Sequence, residues 1–246
     1  MYNGDRFDAV RKMSANTRPE SGMKRIPREL LLRMAGKVSH EDRDEMAIPS
    51  YLHGNPAMRW MAWRRVSVIA RLLRATCKDR DADSRRTIMD FGCGTGVLLY
   101  EASRYAEQVY AIDIVLDPAR LLVDEWQLEK VTLLNPEQAE EHIGENSIDT
   151  IIAAEVLEHI DPLDSTLAFF ERRMKADGNL LISVPTESLL YRLGRRMAGF
   201  HGHYHQSNAA KIHRQIQNAG FKAVRTMKIP LPGPLAIYWV IDYRQR

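Results

Sequence analysis

Two carboxylates and an imidazole follow an apolar segment in the middle of the chain. Glu155, Glu158 and His159 are spaced as i, i+3 and i+4, so a helical turn would place them on one face. Such a set can bind Mg²⁺, Mn²⁺, Fe²⁺ or Zn²⁺. It equally suits metal-free acid–base chemistry, in which His159 takes a proton from a hydroxyl, because the pKa of an imidazole lies near neutrality. A purely structural role is the third interpretation.

A glycine-rich turn with an acidic partner precedes this cluster. Asp90-Phe-Gly-Cys-Gly-Thr-Gly96 follows a strand pattern and opens a helix, and Asp113 ends the next strand pattern. Glycines let the backbone approach a ligand closely, and an acid at this place can accept both hydroxyls of a ribose. Because position 97 is Val, the G-x-G-x-x-G spacing typical of NAD and FAD sites is not present. The pattern therefore predicts a different nucleotide-like ligand.

Strand-like and helix-like segments alternate around these residues. Strands are predicted at 87–91, 108–114, 131–134, 148–153, 180–184, 221–227 and 235–243, and helices at 97–106, 118–126, 163–174 and 208–219. The alternation predicts an α/β fold with a Rossmann-like, doubly wound, mostly parallel seven-stranded sheet, an antiparallel C-terminal strand and an N-terminal helical extension. Since parallel strands end at one edge, the glycine turn, Asp113 and the Glu155 cluster are expected to meet there.

Composition divides the chain into three parts. Residues 1–50 are a polar, loosely ordered extension with one helix expected near 28–38. Residues 51–78 form a basic amphipathic helix that begins at Pro56, where proline is favoured. Residues 79–246 are the ligand-binding domain, with a substrate insert at 185–207.

Charge is segregated although 35 Lys and Arg nearly balance 32 Asp and Glu. Residues 79–187 carry 23 acidic and nine basic side chains, a net charge of −14, whereas the rest of the chain carries nine and 26, a net charge of +17. Residues 54–78 and 188–241 contain no acid. Basic flanks around an acidic middle indicate an anionic partner, either a phosphate-bearing molecule or a membrane surface.

Bulk features exclude several classes of protein. Two cysteines form no disulfide framework, and no Cys/His spacing is typical of a zinc finger. The N-terminus lacks an apolar secretory segment, and the longest apolar run, residues 229–241, is too short to span a bilayer. We expect a cytoplasmic protein. A second hypothesis adds peripheral association with the inner membrane face through Trp60, Trp63, nearby arginines and that apolar run.

The glycine turn resembles the first motif of class I S-adenosylmethionine-dependent methyltransferases, and the resemblance covers about residues 87–243. It implies that Asp90 lies near the methionine ammonium, directly or through water, and that Asp113 binds the ribose. It also implies that Gln138-Ala139 contacts adenine, with Gln standing where the family usually has an acid. The residues that the resemblance assigns to the cofactor are Asp90, Phe91, Gly92, Cys93, Gly94, Gly96, Asp113, Ile114, Gln138, Ala139 and Ala154.

Glu155-Val-Leu-Glu158-His159 resembles elements of two groups of these enzymes. Ubiquinone-biosynthesis O-methyltransferases carry a similar acid-x-x-Glu-His element. Small-RNA 3′-terminal 2′-O-methyltransferases use Glu-x-x-Glu-His with a downstream histidine as a metal site. That resemblance implies a metal site of Glu155, Glu158, His159 and His203, with His201 and His205 as rival registers. Leu-Glu-His-Ile is also typical of small-molecule methyltransferases that need no metal, in which the Glu caps a helix and the His lines the pocket. The candidate catalytic residues are Glu155, Glu158 and His159.

The insert is the expected acceptor-binding segment, because loops at this edge of such sheets form the substrate pocket. The residues assigned to the acceptor are Thr186, Glu187, Tyr191, Arg192, Arg195, Arg196 and His205. The arginines could hold a phosphate or diphosphate. We therefore expect an S-adenosylmethionine-dependent methyltransferase that O-methylates a small or lipid-linked acceptor bearing phosphate or sugar. The alternatives are a metal-dependent RNA 3′-end 2′-O-methyltransferase and a non-catalytic binding or scaffold protein on the same fold.

Overall fold

The computed structural model describes residues 22–78, 85–186 and 209–245. These residues contain a seven-stranded sheet in the order β3-β2-β1-β4-β5-β7-β6. The strands are β1 Thr87–Phe91, β2 Gln108–Ile112, β3 Val131–Leu134, β4 Ile148–Ala154, β5 Met174–Pro185, β6 Phe221–Ile229 and β7 Tyr238–Gln245. Strand β7 runs antiparallel to both neighbours, and the other pairs are parallel. The predicted fold class is confirmed.

Helices cover both faces of the sheet, which therefore has two cores. The described helices are α1 Arg28–Ala35, α2 His40–Glu45, α3 Ile48–Leu52, α4 Pro56–Lys78, α5 Leu99–Ser103, α6 Asp117–Trp126, α7 Pro136–His142, α8 Asp164–Arg173 and α9 Ala209–Asn218. Successive residues of a strand point to opposite faces. Accordingly, Ile88 joins the core beneath α4, α5 and α6, whereas Met89 joins the core beneath α7, α8 and α9. Strand β4 is accordingly buried on both faces, at every residue from Ile148 to Ala153.

Helix α4 confirms the helix predicted to begin at Pro56. Its buried residues Ala62, Val66, Ile69 and Leu73 recur at three- and four-residue intervals, so one stripe of the helix packs against the sheet. Because α4 also contacts β5 and β7, it lies over the centre of the sheet and not at its margin.

The sequence predicted a loosely ordered N-terminal extension, and for the described part of it this prediction is wrong. Residues 22–52 contain three helices in place of one, and their apolar side chains enter the core beside α4 and α6. Leu30, Met34 and Ile48 are fully or almost fully buried. Arg33 and Glu125 add a surface ion pair of 2.8 Å between α1 and α6. Local periodicity was weak because each of these helices is short and buries only a few residues.

Several predicted boundaries are also corrected. The helix predicted at 97–106 is confined to Leu99–Ser103, and helix α7 was not predicted. Strand β5 begins at Met174, before the predicted start at residue 180, and has an irregular register against β4. The predicted antiparallel C-terminal strand is confirmed by β7, which pairs with β5 and β6. No helix within the described ranges is long and apolar enough to cross a membrane.

Candidate active site

A cavity of about 400 Å³ lies at the edge of the sheet where β1, β2 and β4 end. The glycine turn, the end of β2 and the end of β4 form one side of it, and α2, α3 and α4 contribute the other. Of the residues predicted to serve cofactor or catalysis, those that line it are Asp90, Phe91, Gly92, Cys93, Gly94, Asp113, Ile114, Ala154, Glu155 and His159. The expected meeting of three strand ends is thus confirmed.

The carboxylate of Asp113 fastens the glycine turn to the end of β2. Its Oδ2 accepts a hydrogen bond from the backbone N–H of Gly94 at 2.8 Å, and its Oδ1 accepts one from Val115 at 3.1 Å. Each carboxylate oxygen retains acceptor capacity for a ribose hydroxyl. Burial raises the pKa of Asp113, although these N–H donors act in the opposite direction.

Asp90 lies at the end of β1 and is only 2% exposed. Burial, reinforced by the negative charge of Asp113, raises the pKa of Asp90 to about 7. A carboxyl group held in this way is stabilised in its ionised form by a cationic ligand. That electrostatic environment suits the ammonium group that the family resemblance assigns to Asp90.

Gly94 and Gly96 of the turn have different structural roles. Gly94 has a φ of 53°, and the nearest atom to an added Cβ would be a Met46 side-chain carbon at 3.8 Å, so the cavity reaches the backbone here. Gly96 has a φ of 76°, and an added Cβ would lie 2.8 Å from Leu99 and 3.0 Å from Leu122. Gly96 therefore permits close packing of the turn against α5 and α6. It was predicted to contact the cofactor, but it is not among the residues that line the cavity.

Gln138 caps helix α7. Its Oε1 accepts a hydrogen bond from the backbone N–H of Asn135 at 3.0 Å, while its own N–H donates to Asn135 Oδ1 at 2.8 Å. Neither Gln138 nor the buried Ala139 lines the cavity, whereas Pro136 does. An adenine contact by the Gln138 side chain would require it to leave this cap.

Glu155 does not lie on a helix, so the prediction of a shared helical face for Glu155, Glu158 and His159 is wrong. Glu155 has a left-handed φ of 58°, and the single 3₁₀ turn Leu157–His159 begins two residues later. Glu158 is 1% exposed and is not a lining residue of the cavity, whereas Glu155 and His159 are. Left-handed backbone at Glu155 separates side chains that a regular helix would have aligned.

The Glu155 carboxylate already has two partners. Its Oε1 accepts a hydrogen bond from Ser183 Oγ at 3.1 Å, and its Oε2 forms an ion pair with Arg65 Nη1. Burial raises the pKa of Glu155, against the opposing effects of Arg65 and Ser183. Within residues 22–78, 85–186 and 209–245, no group of three His, Cys, Asp or Glu could hold a metal ion. The described side chains therefore do not fit the predicted metal site, and His203 lies outside them.

Arg65 lines the cavity although the sequence interpretation did not assign it to the site. It lies on α4, is 6% exposed, and its Nη1 donates to the hydroxyl of Tyr238 at 3.1 Å. Its guanidinium carbon lies 5.9 Å from the ring centre of Tyr51 and 5.3 Å from that of Tyr238. Burial is the largest single effect and lowers the pKa of Arg65, but Glu155, Tyr238 and Tyr51 together outweigh it and hold this pKa above its ordinary value. The position of Arg65 on the apolar stripe of α4 was the sequence feature that could have indicated a buried functional arginine.

The N-terminal helices supply further lining residues that were not predicted. Helices α2 and α3 and the residues between them contribute Asp42, Met46, Ala47 and Tyr51. Tyr51 packs against Trp63, with ring centres 4.6 Å apart. Trp63 is consequently buried, and only Trp60 of the two tryptophans predicted for a membrane surface is exposed.

The predicted acceptor residues fall mostly outside the described chain. Thr186 is described, and its hydroxyl donates to the backbone carbonyl of Ala236 at 2.8 Å, so it ties β5 to the segment before β7 and does not line the cavity. The other acceptor residues, together with the proposed metal ligand from the insert, lie in residues 187–208 and are not described: Glu187, Tyr191, Arg192, Arg195, Arg196, His203 and His205.

Comparison with known proteins decides the family. Residues 60–226 match the family model described as a methyltransferase domain. The chain belongs to this family, the class I S-adenosylmethionine-dependent methyltransferases. The resemblance inferred from the glycine turn and Asp113 is thereby confirmed.

Individual relatives of this methyltransferase family member are distant. The mitochondrial ubiquinone biosynthesis O-methyltransferase of Schizosaccharomyces pombe is 26% identical over 174 residues, which cover 64% of this chain and 62% of that enzyme. Magnesium protoporphyrin IX methyltransferase of Synechocystis PCC 6803, with bound S-adenosylhomocysteine, superposes with a TM-score of 0.62 at 17% identity over 88% of this chain and all of that one. The PH0226 protein of Pyrococcus horikoshii OT3 has the same TM-score at 16% identity, over 80% and 96% of the two chains. The two solved structures show a shared fold.

Proposed function

We propose that this methyltransferase uses S-adenosylmethionine to O-methylate a small or lipid-linked acceptor that carries negative charge. The observation that carries the proposal is the cavity at the carboxyl edge of the sheet, lined by Asp90 and Asp113 and also by Arg65 and His159. The first pair suits a cationic, ribose-containing cofactor. The second pair suits an acceptor that must lose a proton and hold negative charge.

The residues have separate tasks in the proposed reaction. Asp113 accepts hydrogen bonds from the ribose, Asp90 balances the ammonium, and Gly94 lets the ligand approach the backbone. When bound, S-adenosylmethionine supplies an electrophilic methyl group on a good leaving group, so the protein mainly has to position the acceptor and remove its proton. His159 is the proposed base, because an imidazole can take a proton near neutral pH.

Two observations support oxygen as the methylated atom and a small molecule as the acceptor. The relative from Schizosaccharomyces pombe is by its name an O-methyltransferase. The RNA alternative uses Glu155 as a metal ligand, and the Glu155 carboxylate is instead paired with Arg65 and Ser183. Membrane association stays a prediction, now with exposed Trp60, Leu231 and Leu235 as the apolar side chains that would contact lipid.

A labelling experiment tests the proposal. The protein is incubated with methyl-tritiated S-adenosylmethionine and a cell extract, and half of the extract is first digested with nuclease. We expect label in a low-molecular-weight or solvent-extractable product, stable to mild alkali because an ether is not hydrolysed as a carboxyl ester is, and unaffected by nuclease. Label that is lost after nuclease digestion would instead favour RNA, and label released by alkali would exclude ether formation.

A further inference from the structure

We propose that Asp42 is a specificity-determining residue, whose carboxylate makes the cavity favour the cationic methyl donor over the neutral product of methyl transfer. This role rests on the proposed function, since it requires the cavity to bind both S-adenosylmethionine and S-adenosylhomocysteine. It involves helix α2, which precedes in sequence every residue that the family resemblance assigns to the cofactor.

The segment that carries Asp42 lies across the cavity from the glycine turn. Asp42 is on α2 and lines the cavity, and Met46, directly after that helix, also lines it. An added Cβ at Gly94 would have a side-chain carbon of Met46 as its nearest neighbour, at 3.8 Å. Burial raises the pKa of Asp113, and the negative charge of Asp42 adds to this effect. Asp42 therefore acts on the same part of the cavity as Asp113.

The charges on the described lining side chains do not balance. These side chains include the carboxyl groups of Asp42, Asp90, Asp113 and Glu155, and Arg65 is the sole Lys or Arg among them. Arg65 and Glu155 form an ion pair, so their two charges compensate each other. The three aspartates remain, and their negative charge favours a ligand that carries a net positive charge.

Asp42 is the one of these three aspartates that the proposed function does not use. Asp113 accepts hydrogen bonds from the glycine turn and the ribose, and Asp90 balances the ammonium group. Asp42 Oδ2 accepts a hydrogen bond from Ser39 Oγ at 2.6 Å, and the backbone N–H of Asp42 donates to Ser39 Oγ at 3.1 Å. Because a hydroxyl is a neutral partner, Ser39 holds the carboxylate in place without cancelling its charge.

Methyl transfer removes one positive charge from the cofactor. As the methyl–sulfur bond breaks, its electron pair stays on sulfur, so a sulfonium cation becomes a neutral thioether. A fixed carboxylate nearby therefore stabilises the donor but not the product. Because a sphere of about 400 Å³ is about 9 Å across, Coulomb's law with an effective dielectric constant of about 20 to 40 gives one lining carboxylate a preference of about five- to thirtyfold. Such a preference limits inhibition by the product.

Calorimetric titrations of S-adenosylmethionine and S-adenosylhomocysteine test this role at pH 8, above the pKa of about 7 of Asp90. The quantity compared is the dissociation constant of the product divided by that of the donor. This ratio should fall about five- to thirtyfold in Asp42→Asn, which keeps an oxygen that accepts from Ser39, and Asp42→Glu should retain most of it. The matched control is Glu41→Gln, which removes an exposed charge from the same helix and should leave the wild-type ratio unchanged.

The outcomes distinguish this role from the proposed function. A merely structural Asp42 would weaken both ligands equally in Asp42→Asn, so an unchanged ratio overturns the role while cofactor use stands. An equal fall in Glu41→Gln overturns it too, because the position of the charge would then not matter. Failure of the wild-type protein to bind either ligand would overturn the proposed function itself. If Asp42→Asn does not fold, Asp42→Ser replaces it with the same expected fall, since its hydroxyl can also pair with Ser39.

Discussion

Arg65 on helix α4 and Glu155 at the end of strand β4 form an ion pair in the wall of the cavity, with side chains 7% and 20% exposed. The pair joins the helix that precedes the glycine turn to the strand end that follows it by some sixty residues of sequence. Because Ser183 on β5 also donates to Glu155, three elements are held together in the wall of the cavity. The same contact thus stabilises the fold and sets the charge of the site.

Glu155→Gln should destabilise the protein strongly. The change leaves the Arg65 charge buried without its carboxylate, which typically costs about 3–5 kcal/mol. Chemical denaturation measures the free energy of unfolding. The matched control is Glu125→Gln, which removes the exposed ion pair with Arg33 and should cost less than about 1 kcal/mol. Equal losses in the two variants would contradict the importance assigned to the buried pair.

Asp113→Asn should weaken binding of S-adenosylhomocysteine by at least about tenfold, since the amide nitrogen cannot accept a hydrogen bond from a ribose hydroxyl or from the glycine turn. Titration calorimetry measures the affinity, and thermal unfolding reports whether the variant is folded. Asp124→Asn, at an exposed position on α6, is the control and should bind as the wild type does. An unchanged affinity in the Asp113 variant would refute the ribose assignment.

Asp90 makes the stability of the unliganded protein depend on pH. The pKa of Asp90 is raised from 3.8 to about 7 in the folded chain, so the folded state binds a proton more tightly than the unfolded state between those values. Stability contributed by the protonated carboxyl is therefore complete below about pH 4 and is lost as the pH rises to about 7. Asp90→Asn removes this loss, because an amide does not titrate.

The stability advantage of Asp90→Asn over the wild type should consequently increase by about 2 kcal/mol between about pH 5 and about pH 8. Denaturation at the two pH values, without cofactor, measures the change. The variant should also bind S-adenosylhomocysteine more weakly, because the charge that opposes the ammonium is absent. A difference between variant and wild type that is constant with pH would show that Asp90 does not titrate in this range.

His159→Gln should separate catalysis from cofactor binding. Loss of the general base should lower methyl transfer to the labelled product by about 100-fold or more. The affinity for S-adenosylhomocysteine should stay within a factor of about two, since Asp90, Asp113 and the glycine turn are intact. Parallel labelling and calorimetric experiments check both quantities. Methyl transfer at the wild-type rate would remove His159 from the mechanism.

The cofactor half of the site was predictable because its signals are local. Strand β1, the glycine turn and Asp113 succeed one another within one βαβ unit, and parallel strands place their ends together. Helix α7 was predictable in the same way, since Asn135 and Gln138 have capping-box spacing, but that signal was assigned to adenine contact.

The residues on the other side of the cavity could not be predicted from local sequence patterns. Arg65 and Tyr51 reach the cavity only because α3 and α4 pack across the sheet, and no spacing within the chain specifies that crossing. The interpretation of Glu155, Glu158 and His159 assumed regular helix, whereas the left-handed φ of Glu155 is an uncommon conformation for a residue other than glycine. The Glu155 carboxylate, which the sequence interpretation assigned to a metal, forms an ion pair with the buried Arg65.

Calorimetric titration of S-adenosylhomocysteine into the wild-type protein tests the central claim most directly. The cavity beside Asp90 and Asp113 predicts one saturable site per chain with micromolar affinity, competed by S-adenosylmethionine and lost in the Asp113→Asn variant. Absence of binding by folded wild-type protein at millimolar ligand, or equal binding by the Asp113 variant, would contradict the assignment of this cavity to the methyl donor.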